Sequence, residues 1–225
     1  MSFYIPAEGP ASWEALLGDP EKHWKMGRSA RTLAHCWESA QGFPPEVSGT
    51  LDASPYTELH DLQFVAGFPE HEVPLPGGRR PSQTDVFVLA TCGDGLVSIA
   101  VEGKVDEPFG DTVEVWLGTD PSPGKETRLA YLCNLLRIAT DDASVLRYQL
   151  LHRTASAIIE AERFDAKTAV MLVHSWAPNR EGFDDYSAFV NILGGSPALD
   201  SVTSVEAVDN LYVGWICGMP EWLTK

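Results

Sequence analysis

Apolar residues along the chain fall into periodic or alternating runs separated by Gly and Pro, and the spacing predicts the elements. From Arg28 to Gln41, Leu33, Cys36, Trp37 and Ala40 recur at helical spacing, with Ser29 as N-cap and Gly42 with Pro44 and Pro45 as the stop. Residues 58–68 alternate enough for a strand, and 74–82 (PLPGGRRPS) read as a loop. Asp85–Cys92 and Gly95–Glu102 are strand-like runs flanking Gly93-Asp94, the composition of a two-residue hairpin turn. Residues 106–124, broken by Pro108, Pro121 and Pro123, are loop-like, with some structure over 113–117. Helices are predicted over 126–139 and 143–163, a buried strand over 168–176, a short helix over 186–193 and a last strand over 210–217. Helices alternating with apolar strands imply an α/β architecture with a mixed central sheet flanked by helices.

Composition narrows the classes. The chain has 225 residues, 44% hydrophobic and 21% charged, enough for one large buried core and no reason to expect disorder. No break resembles a linker, so residues 1–225 read as a single domain. No apolar run approaches the length of a membrane span, and the start at Met1 lacks the pattern of a signal peptide. The expectation is a cytoplasmic protein without a membrane partner. Cys36, Cys92, Cys133 and Cys217 stand far apart, which argues against a zinc site or a disulfide framework. A net charge of −16 opposes extended binding to a phosphate backbone unless one face is locally basic. The only dense basic cluster runs from Lys22 and Lys25 through Arg28 to Arg31; Arg79-Arg80, and Arg147 with His152 and Arg153, are smaller, and each reads first as a solvated face.

The hairpin carries the candidate chemistry. With a two-residue turn, Cys92 pairs with Gly95, and seven residues back on each side Asp85 stands opposite Glu102. Directly opposed residues share a face, their Cβ atoms roughly 4.5–5.5 Å apart. Lys104, two residues beyond Glu102, projects from the same face. Two carboxylates and an ammonium thus converge at one end of an apolar sheet, where a divalent cation would offset the repulsion. A three-residue turn would set Asp85 against Gly103 and reverse its face.

Asp85 followed by Glu102-Gly103-Lys104 on the next strand, in an α-β-β-β-α-β order, resembles the PD-(D/E)XK nuclease superfamily over residues 28–176. The resemblance implies a restriction-endonuclease-like core with a helical insert, preceded by an irregular arm (1–27) and followed by a C-terminal extension (177–225). It also implies Mg2+ or Mn2+ held by Asp85 and Glu102, with Lys104 assisting the attacking water or the transition state. Gln149 on the long helix would support the site, and Glu38 on the first helix is a further candidate. Thr84 stands where the superfamily often has Pro. The wording VEGKVDEPFG also resembles an uncharacterised bacterial protein family.

The first functional expectation is therefore metal-dependent phosphodiester hydrolysis on DNA or RNA, with Asp85, Glu102, Lys104 and Gln149 as the catalytic set. The alternatives are a catalytically inactive binding or regulatory protein of the same fold, or a metal-dependent hydrolase of a small phosphorylated molecule, which suits the acidity better. Gln149, Arg153, Ser156 and Glu160 form one polar stripe, readable as a catalytic or as an exposed helix face. His174 reads as a hydrogen-bonded core residue, His152 as a surface one, and Asp106 with Glu107 as solvated acids. GxSxG, HExxH, GxGxxG and P-loop patterns are absent, which removes the common hydrolase and nucleotide-binding readings.

Overall fold

The computed structural model of the protein describes residues 8–93 and 95–225; the start of the predicted arm and Asp94 of the predicted turn lie outside them. Strands β1 (Gln63–Val73), β2 (Ser82–Cys92), β3 (Gly95–Lys104), β4 (Thr168–Ser175), β5 (Ser201–Ser204) and β6 (Leu211–Cys217) form one mixed sheet in the order β1-β2-β3-β4-β6-β5. β1, β2 and β3 run as an antiparallel meander, β3, β4 and β6 are parallel, and β5 returns antiparallel to β6. Helices α1 (Pro20–His23), α2 (Ser29–Ala40) and α3 (Pro45–Asp52) precede β1. Helices α4 (Val113–Leu117), α5 (Pro123–Leu136), α6 (Thr140–Ala143) and α7 (Tyr148–Arg163) lie between β3 and β4, and α8 (Phe183–Ile192) follows β4.

Strand alternation separates two cores. Val86, Val88, Ile99, Val101, Val170 and Leu172 pack with Leu33 and Trp37 of α2 and Val47 of α3 on one face. Ala100, Met171, Val173 and Trp215 pack with Leu151 and Ala155 of α7 on the other. β4 is covered on both sides, and all its residues are buried, which explains why TAVMLVHS is apolar almost throughout. Among the described residues no helix is long and apolar enough to cross a membrane.

Several predicted boundaries move, each for a tertiary reason. The first strand is Gln63–Val73 rather than 58–68, because its limits are set by pairing along β2, from Gln63↔Thr91 to Val73↔Ser82. Pro45 does more than stop α2: it opens α3, where its fixed φ suits the first helical turn. The helix predicted from 143 begins at Tyr148. Before it, α6 ends at Ala143 and the chain turns, Leu146 N–H donating to Ala143 C=O at 3.0 Å, while Val113 N–H donates to Leu146 C=O at 2.8 Å and Thr112 bridges Arg147. α5 starts at Pro123 and ends at Leu136, where Arg137 turns left-handed with φ 54°. Ser29 does not cap α2 with its side chain. Its N–H donates to Glu107 Oε1 at 3.1 Å, so a carboxylate from the segment after β3 serves that end. The segment after residue 176 contributes β6, between β4 and β5, and the short strand β5 that its sequence did not announce.

Candidate functional site

The hairpin ladder runs from Cys92↔Gly95 to Val86↔Val101, the register of a two-residue turn, and one step further sets Asp85 opposite Glu102. On the outer side of β2, Pro69↔Val86 and His71↔Thr84 bracket Glu70 opposite Asp85. Glu70, Asp85 and Glu102 therefore form a row of carboxylates across three strands. Glu70, which the sequence reading missed, adopts φ 50°, an uncommon backbone for a residue with a side chain. Finding it required the pairing of β1, and local periodicity carries no such information.

Glu102 is 2% exposed and fully engaged. Its Oε1 accepts from Lys104 Nζ at 2.7 Å and from Gln149 Nε2 at 2.6 Å, and its Oε2 from Arg153 Nε at 2.5 Å. Lys104 Nζ also donates to Gln149 Oε1 at 3.1 Å and lies 4.8 Å from the Phe109 ring centroid. Asp85 Oδ2 accepts from Gly103 N–H at 2.8 Å. Its Oδ1 has Arg153 Nη2 at 3.9 Å and, among the described residues, receives no hydrogen bond. Asp85, Glu102, Lys104 and Gln149 are thus brought together, with Arg153 inserted between the two acids.

These contacts divide the carboxylates electrostatically. Burial pushes Glu102 up, but the charges of Arg153 and Lys104 and their hydrogen bonds outweigh it and hold the group at about 2. Asp85 goes the other way, to about 7, through burial and the charge of Glu102. Glu70 rises to about 9 through burial and the charge of Asp85, although Gln83 Nε2 donates to it at 3.0 Å. Two acids that resist ionisation beside one held in its ionised form make a site short of positive charge.

The row forms part of the wall of a cavity of about 620 Å3, which Leu17, Phe109, Trp116 and Tyr148 also line. Its acids are Asp19, Glu70, Asp85, Glu102, Glu107 and Asp111, and its cationic groups are Lys104 and Arg153; His23 and His152 also line it. Arg79, Arg80 and Arg147 are not among the lining residues; Arg147 instead donates to Gly110 C=O at 2.7 Å and pairs with Asp185 at 2.9 Å. The hard oxygens of Asp85 and Glu102 match the ligand preference of Mg2+ or Mn2+, and Asp85 Oδ1 is the open donor. Arg153 is the competing cation.

The polar stripe of α7 faces the sheet rather than solvent. Gln149 and Arg153 bind Glu102, Ser156 Oγ donates to Ser82 Oγ at 2.9 Å, and Glu160 lies 3.4 Å from His71 Nε2. His152 is no surface residue: it lines the cavity and meets Ser82. Glu38 is elsewhere, accepting from Trp13 Nε1 at 2.7 Å. Asp106 pairs with Arg28 at 2.7 Å, and Glu107 holds the start of α2.

His174 occupies the opposite face of the sheet. It lies with Cys36 and Glu46 in a group whose ligand atoms all fall within 4.8 Å of one another. Trp37 Nε1–H donates to His174 Nδ1 at 3.2 Å, which leaves the proton on Nε2, 3.3 Å from Glu46 Oε1. The one lone pair of that tautomer, on Nδ1, is taken by Trp37, and burial pushes the Cys36 thiol far up. The cluster is a hydrogen-bonded core network.

The chain belongs to a family described as a domain of unknown function (DUF6946), whose model matches residues 6–220. No curated protein and no solved structure matches it.

Proposed function

We propose that the protein is a divalent-metal-dependent phosphodiester hydrolase with a restriction-endonuclease-like core. The observation that carries this reading is the convergence of Asp85, Glu102 and Lys104 on one cavity wall, with Gln149 of α7 bonded to both Glu102 and Lys104. A bound Mg2+ or Mn2+ would acidify a water and neutralise charge on the phosphoryl group. Asp85 Oδ1 would hold it, together with Glu102 Oε2 in place of the 2.5 Å bond that this oxygen receives from Arg153 Nε. Lys104 Nζ, fixed by Glu102 and Gln149, stands as a point charge for the transition state. Gln149 orients Lys104 and Glu102 together and has no proton to exchange.

One test is hydrolysis of single- and double-stranded DNA, RNA and an activated small phosphodiester, with Mg2+ or Mn2+. Metal-dependent cleavage by the wild type, lost in Lys104→Ala, supports the proposal. Equal rates in the two proteins, or no cleavage of any substrate by the wild type, overturn it.

Arg153 favours a second reading. With Nε 2.5 Å from Glu102 and Nη2 3.9 Å from Asp85, it supplies a fixed counter-ion where the metal would act. On this reading the site is a catalytically inactive binding module. Ligand binding would then survive Lys104→Ala, and Mg2+ would leave the thermal stability unchanged.

A further inference from the structure

His152 is held as though to serve a ligand. Its ring meets Tyr148 at 4.8 Å between centroids, and Tyr148 in turn stacks on Trp116 at 3.9 Å with 7° between planes. Its Nδ1 lies 2.8 Å from Ser82 Oγ and 3.3 Å from Arg153 Nη1. Arg153 can only donate, so a proton on Nδ1 would point at another N–H; Ser82 Oγ accepts from Arg153 Nη1 at 3.2 Å, and its own proton can turn to Nδ1 or to His152 C=O at 3.2 Å. Nδ1 is therefore an acceptor and the proton resides on Nε2. Among the described residues Nε2 has no hydrogen-bond partner, and it is not among the buried polar atoms left without one, so it is open to the cavity that His152 lines.

We propose that the cavity takes a small phosphate ester and that His152 binds a phosphoryl oxygen of it through Nε2–H. This rests on the hydrolase reading above for the identity of the bound group. A cavity of about 620 Å3 is of small-molecule size. Its acidic lining, within a chain of net charge −16, opposes a polyanion that must lay many phosphates along the surface. An uncharged donor suits such a site for a definite reason. Added cations are captured by the carboxylates, as Arg153 and Lys104 are by Glu102, whereas a neutral N–H remains free for the ligand. Burial and the charge of Arg153 keep His152 neutral.

Two readouts test this without turnover. Long-range 1H–15N spectra of the labelled wild type should show His152 protonated on Nε2; the Nδ1–H form overturns the proposal. Binding of inorganic phosphate and phenyl phosphate is then measured with Mg2+ for His152→Gln and His152→Asn, both first shown to be folded by their amide spectra. Gln places an amide N–H near the Nε2 position, and Asn places one near Nδ1 and leaves the cavity without a donor. The loss expected for Asn is roughly three- to tenfold, the worth of one hydrogen bond, with Gln close to wild type. The reverse order, or equal losses, shows that His152 only supports Ser82 and Arg153. A single-stranded oligonucleotide that binds tighter than phenyl phosphate overturns the substrate class. Phosphate binding through His152 without any cleavage would sink the hydrolase reading alone, while metal-dependent cleavage with no difference between Gln and Asn would sink this one.

Discussion

Replacing Arg153 by Met separates the ionic role of this residue from its bulk. The side chain is 9% exposed, donates to Glu102 at 2.5 Å and to Ser82 at 3.2 Å, and lies 3.9 Å from Asp85. Met keeps much of the aliphatic stem, so packing changes little. What is lost is the counter-charge. Glu102 keeps Lys104 and Gln149, but Asp85 and Glu70 face it with one cation fewer. Removing one partner of a buried pair costs about 3–5 kcal/mol. Glu102→Gln removes the acceptor charge and leaves Arg153 and Lys104 to repel each other, at about 2–4 kcal/mol by the same reasoning. In the double variant neither Arg153 nor Glu102 is left charged without the other, so the combined loss should fall short of the sum by about 2 kcal/mol or more. Urea unfolding at pH 7, followed by tryptophan fluorescence with the m-value checked for constancy, measures all four corners. Losses that add to within about 0.5 kcal/mol would show that Arg153 and Glu102 are not coupled and would refute the electrostatic account of the site.

Acidity should tune the same site. The folded-state values of Asp85, about 7, and Glu70, about 9, exceed those of the unfolded chain, so both groups stabilise the fold most below about pH 4. That contribution is lost as pH rises through about 7 and 9. Glu102, at about 2, acts oppositely and loses its contribution only as pH falls from about 4 towards 2. Thermal unfolding from pH 5 to 9 should therefore show a declining Tm that saturating Mg2+ flattens; a Tm flat or rising over that range without metal contradicts the assignment. Gly214 tests the packing of β6 between its neighbours, because a Cβ there would stand 2.9 Å from both Leu172 Cδ2 and Val202 Cγ2. Gly214→Ala should cost about 1–3 kcal/mol in urea unfolding, and an unchanged midpoint would mean that β5 does not pack as described.

Much of this molecule is written locally. The hairpin follows from two apolar strands around Gly93-Asp94, and with its register Asp85, Glu102 and Lys104 share a face by alternation alone. The polar stripe of α7 follows from a 3.6-residue period, and that stripe supplies Gln149 and Arg153. The α/β class and the mixed sheet follow from element order. The family match to residues 6–220 leaves the chemistry to be read from these residues.

What local pattern could not supply is pairing between distant segments. Glu70 joins the site only because β1 lies beside β2 in one register, and a strand edge specifies its partner through the whole sheet. His152 looks solvent-facing beside Arg153 until Ser82, 70 residues away, accounts for its ring. Of the two histidines, His174 keeps its expected core setting and only His152 departs from the surface position its sequence suggested. His174 is sealed against Trp37 on the far face of β4, and His152 is open to the cavity. Sequence alone determined which residue types sit on which strand or helix face, because backbone periodicity is a local property. Tertiary structure decided which charges meet, because burial and the distance between charges depend on contacts that no local stretch contains.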